Sequence, residues 1–161
     1  MMKANFLKYF AISFVLLLTV TLANSQEKSK GVEKVQDDMK VLQGDWICIM
    51  EEFQGQPYAK DKVKEMNKRM NVDKNSMIIK RVSGGKLGTY EGKFELDPTT
   101  KPKKFDFTGT GNGTNVEMKG IYELTENEFK VIYLGKGLRP KEFKTVKGEA
   151  GVYVQYKRDK D

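Results

Sequence analysis

The stretch Leu42-Gln43-Gly44-Asp45-Trp46, LQGDW, sets the chain's only tryptophan two residues after a glycine, at the point where a helical period gives way to an extended one. Upstream, Val32, Val35, Met39 and Leu42 fall at spacings of three, four and three. This predicts a short amphipathic helix in the polar segment that starts at Gln26. Downstream, Trp46, Cys48 and Met50 share one side of an extended run whose other side, Ile47 and Ile49, is also apolar. This predicts a first strand covered on both faces.

Gly55-Gln56-Pro57 breaks that strand. Ala59, Val63, Met66 and Met70 then recur at spacings of four, three and four among Lys60, Lys62, Lys64 and Lys68, which predicts a helix over 59–70. From there period two dominates: Ser76 to Val82, a Gly84-Gly85 turn, Thr89 to Leu96, then Phe105 and Phe107 around Asp106. Val116 to Leu124, Phe129 to Tyr133, Glu142 to Val146 and Val152 to Tyr156 complete eight candidate strands. Strands in sequence-local order with tight turns favour an antiparallel meander, and eight can close on themselves without an exposed edge. The expected fold is all-β with minor helix: an eight-stranded antiparallel β-barrel, with one helix between the first and second strands and a short N-terminal helix. A two-sheet sandwich fits the same periodicity.

Lys3 and Lys8 precede an apolar run from Phe10 to Leu22 and then small residues, the pattern of a secretory signal peptide. The run is shorter than the roughly 20 residues an apolar helix needs to span a bilayer. The expected division is 1–25 as signal peptide, 26–40 as polar helical segment and 41–161 as barrel domain, with the mature protein starting near Asn24 or Gln26 and secreted or periplasmic. The formal charge of +7 loses two lysines with the leader and stays basic. Lone Cys48 cannot form an intramolecular disulfide, so packing must hold the domain together in an oxidising compartment.

The chain has no histidine, which removes the commonest general base and metal ligand. No serine lies in a strand-turn-helix elbow, no cysteine or carboxylate cluster has metal-ligand spacing, and Glu51 and Glu52 point to opposite faces of a strand. The expectation is a protein that is not an enzyme, with no cofactor and no metal. Gly109 to Thr114 is glycine-rich but precedes a strand rather than a helix, so it reads as a hairpin loop and not a phosphate cradle. Lys101, Lys103, Lys104, Arg139 and Lys141 form two basic loop clusters, read as solvated loops or as a surface for an anionic polymer. Export argues against nucleic acid as a partner.

Gly44-Asp45-Trp46 resembles the Gly-x-Trp signature of the lipocalins. More broadly, LQGDW at 42–46, GQP at 55–57, DPTTKPKKFD at 97–106, GIYEL at 120–124 and RPKEF at 139–143 resemble an uncharacterised secreted lipocalin-like domain family frequent in planctomycetes. The resemblance implies that Trp46, with Gly44, closes one end of a barrel, and that a cation from Lys157 or Arg158 stacks on its outer face. It brings no activity, ligand or catalytic residue with it.

Alternation places Tyr90, Phe94, Phe105, Phe107, Tyr122 and Tyr133 on interior faces. An eight-stranded barrel is just wide enough to fill with side chains or to admit one small ligand. If a pocket exists, Tyr90, Phe94, Phe107, Tyr122 and Tyr133 are its candidate lining, with tyrosine hydroxyls to orient a polar group. The 59–70 helix reads as a lid over the mouth or as ordinary rim packing. Two functions follow: a non-catalytic module holding a small apolar or amphipathic ligand, or a cell-envelope structural or interaction protein with a packed core and no ligand.

Overall fold

The computed structural model describes residues 33–160. The expected leader at 1–25 and the first part of the 26–40 segment lie outside the described residues. Helix α1 covers residues 33–42. The elements that follow are β1 (Gly44–Phe53), β2 (Gln56–Pro57), α2 (Lys60–Met66), β3 (Arg69–Asp73), β4 (Ser76–Ser83), β5 (Lys86–Asp97), β6 (Lys103–Gly111), β7 (Thr114–Leu124), β8 (Glu128–Leu134) and β9 (Gly151–Arg158). Strands β3 to β9 pair in chain order, and β1 bonds to both β3 and β9. The sheet therefore closes into an antiparallel barrel of eight strands, with β2 as a short ninth strand beside β1.

Local chemistry sets the turns and the curvature. Gly84 and Gly85 take φ of 56° and 74°, the left-handed pair that a two-residue hairpin needs between β4 and β5. Gly92 on β5 and Gly109 on β6 are cross-strand partners, and a Cβ on either would lie 2.3 or 2.2 Å from a backbone oxygen of the other strand. Only glycine allows that approach, which marks a tight bend in the barrel wall. Gly109 to Gly111 is thus strand rather than loop, and the turn itself is Asn112-Gly113.

Three expectations are corrected. The helix ends at Met66, not Met70: Asn67 caps it in the left-handed conformation (φ 42°) and its N–H bonds to the Lys64 carbonyl at 3.0 Å. Met70 lies on β3, which the helical reading concealed. Glu142 to Val146 is not a strand, because β8 and β9 pair with each other along Glu128 to Leu134 and leave it no ladder to join. That segment is instead tied to the outer wall. Thr145 Oγ1 accepts from the Gly55 N–H at 2.7 Å, and Arg139 donates to the Phe105 carbonyl at 3.2 Å. Nor is β1 covered on both faces, since Ile49 is 41% exposed.

The physical reason for the last correction is a β-bulge. Cys48 pairs with Tyr156 but Met50 with Gln155, so Ile49 is an extra residue. One such insertion reverses which residues face inward beyond it. Trp46 and Cys48 face the core before the bulge, and Glu51 is buried after it.

Candidate functional site

The two ends of the barrel differ in kind. At one end Trp46 is fully buried and its Nε1 donates to the Leu42 carbonyl at 2.9 Å. The Arg158 guanidinium lies over the indole at 4.3 Å from its centroid, a contact worth about 0.5–2 kcal/mol. The same guanidinium donates to the carbonyls of Gln43 (2.7 Å), Val41 and Glu126 (2.7 Å). It thereby satisfies orphan carbonyls at the end of α1, as a cation at a helix C-terminus should. Gly44, at φ 96°, lets the chain turn from helix to strand beneath it. Of the two candidate cations, Arg158 is the one over the ring.

Behind this plug the interior is solid. Phe129 has the rings of Trp46, Phe105, Tyr122 and Tyr156 around it at centroid distances of 6.0–6.3 Å. Phe94 stacks on Phe105 at 6.2 Å. The Tyr122 hydroxyl donates to Asp38 on α1 at 2.5 Å, and Lys103 reaches the same carboxylate at 2.8 Å. A void of about 20 Å³ lies beside Phe107 and Met77.

The other end holds a cavity of about 460 Å³, reached where β1, β4 and β8 finish and β5, β7 and β9 begin. Of the sequence candidates, Tyr90 and Tyr133 line it. Phe94, Phe107 and Tyr122 do not; they belong to the packed half, because Phe94 and Tyr122 lie toward the ends of β5 and β7, away from the mouth, and Phe107 on β6 is the cross-strand partner of Phe94. Ile79, Val116, Met118 and Val152 supply further apolar wall, with Phe53 and Tyr58 at the rim. Helix α2 is no lid. Its Val63 and Met66 are buried, and it packs against β1 and β4, beside the stretch where β1 has left β3.

The floor of the cavity carries charges that the sequence reading did not identify as a site. Glu51 Oε2 lies 2.8 Å from Lys68 Nζ, with both side chains almost wholly buried, and Oε1 lies 3.4 Å from Arg81 Nη1. Asn67 ends α2 and turns the chain so that Lys68 enters the interior; Arg81 follows Met77 and Ile79 on the inward stripe of β4. Burial disfavours the Lys68 ammonium, but the Glu51 carboxylate at 2.8 Å favours it, and its pKa is raised. Burial likewise raises the Tyr133 hydroxyl.

Cys48 is buried, and burial pushes its thiol up to about 11, which keeps it in the unreactive protonated form. Among the described residues no group of three or more acidic or cysteine side chains is placed to hold a metal ion, and no helix is long and apolar enough to cross a membrane. The basic loop residues are partly engaged within the fold: Lys103 with Asp38, Lys104 with Asp97 at 3.5 Å, and Arg139 with Asp106. Comparison with family models, curated proteins and solved structures found no match to this chain.

Proposed function

We propose that this protein is a secreted or periplasmic, lipocalin-like binding module that holds a small apolar or amphipathic molecule without transforming it. The observation that carries this reading is the cavity of about 460 Å³ at the unplugged end of the barrel. Ligand sites typically fall between about 300 and 1,000 Å³, with mostly apolar walls and a few fixed polar groups. The cavity has that makeup. A barrel packed solely for stability would be expected to fill this half as it fills the other, because a void forfeits contact energy.

The non-catalytic part of the proposal rests on the chemistry of the floor. Glu51 is held in an ion pair and Cys48 is buried as a thiol, so neither is presented as a free nucleophile or base. Protein purified without detergent is expected, by native mass spectrometry, to carry a reproducible small-molecule adduct or to take up an added apolar fluorophore saturably. A uniform apo mass together with no saturable uptake would contradict the proposal.

A further inference from the structure

Among the described residues, the charges at the floor of the cavity do not balance. Lys68 and Arg81 bring two cations, and Glu51 is the one buried carboxylate between them. The other acid of the lining, Glu117, is exposed and pairs with Lys119 at 3.1 Å, so it does not neutralise the floor. An excess positive charge under apolar walls is costly unless an anion joins it.

Arg81 is where that excess is accessible. Its Nη1 reaches Glu51 only at 3.4 Å, its Nη2 has the weak acceptor Met66 Sδ at 3.7 Å, and its Nε is buried with no hydrogen-bond partner. A guanidinium has five N–H donors in a planar fork that matches the two oxygens of a carboxylate. Lys68, by contrast, already has a strong acceptor in Glu51 at 2.8 Å.

Resting on the reading of the cavity as a ligand site, we propose that its occupant is a small amphipathic monoanion, a carboxylate. The headgroup sits on the Arg81 guanidinium beside Lys68, and the hydrocarbon body lies against Ile79, Tyr90, Met118 and Val152. One excess charge selects a single negative charge, and the apolar wall selects a hydrocarbon body. A cation would face the same two positive groups with only a paired carboxylate to receive it.

Calorimetric titration of the full chain at neutral pH with decanoate, 1-decanol and decyltrimethylammonium tests this. Decanoate is expected to bind about tenfold or more tighter than decanol, the scale of a charge-assisted hydrogen bond, and the cation weakest. Arg81→Met should reduce the preference for decanoate over decanol to within about threefold. Glu51→Gln should act in the opposite direction and tighten decanoate, because it removes the competing carboxylate; this second variant decides the matter if Arg81→Met does not fold. Equal affinity for decanoate and decanol in the parent, or a preference that survives in Arg81→Met, would overturn the anion inference and leave the ligand-binding reading intact. No saturable binding of any of the three would remove both.

Discussion

Trp46 and Arg158 form one unit: the indole fills the closed end, and the guanidinium covers it while holding three backbone carbonyls. Trp46→Ala is expected to cost about 3–5 kcal/mol, since the cavity it leaves is walled by Phe129 and Leu42 and cannot collapse freely. Chemical denaturation measures it. Glu51→Ala should cost roughly 3 kcal/mol or more, because the buried Lys68 ammonium then lacks its carboxylate. The neighbouring Cys48 gives a pH signature. Its thiol rises from the ordinary 9.0 to about 11 in the folded chain, so its contribution to stability is full below pH 9.0 and is lost as pH climbs through about 11. Cys48→Ala should flatten the fall in unfolding free energy across that interval. Unchanged steepness would show that the thiol is not buried as described.

At the scale of elements, the bulge at Ile49 and the cap at Asn67 do the most, and both concern what a linear pattern can express. The meander, its hairpin turns and the inward stripes of β4 to β9 were legible, because strict alternation between turn residues survives in the sequence. Lys68 was hidden for a definite reason: read as the continuation of α2 it is one more helix lysine, whereas read with Met70 and Val72 it belongs to an inward stripe with period two. Arg81, two residues beyond Ile79, could have been found by the same alternation. Glu51 could not, since no residue type announces a bulge and the unbroken phase of β1 puts Met50 inside instead. The false strand at Glu142 to Val146 alternates well enough; only the closure of β9 onto β1 shows that no partner is left for it. The wall makes its own prediction. Gly92→Ala and Gly109→Ala, whose added Cβ would overlap backbone, should destabilise far more than Gly84→Ala, which meets open space and incurs only about 1–2 kcal/mol of left-handed strain. Thermal melts of the three variants rank them.

For the whole molecule, the ring of hydrogen bonds makes the barrel a rigid frame, and the two ends divide its work: aromatic packing stabilises one half, while the other keeps an opening above a floor of buried charge. That division is the centre of the account, and amide chemical-shift mapping during titration with an anionic apolar probe such as anilinonaphthalene sulfonate tests it most directly. The account predicts saturable shifts at Ile79, Arg81, Tyr90, Met118, Tyr133 and Val152, with the Trp46 indole N–H unmoved. Shifts centred on the Trp46 end, or none that saturate, would contradict it.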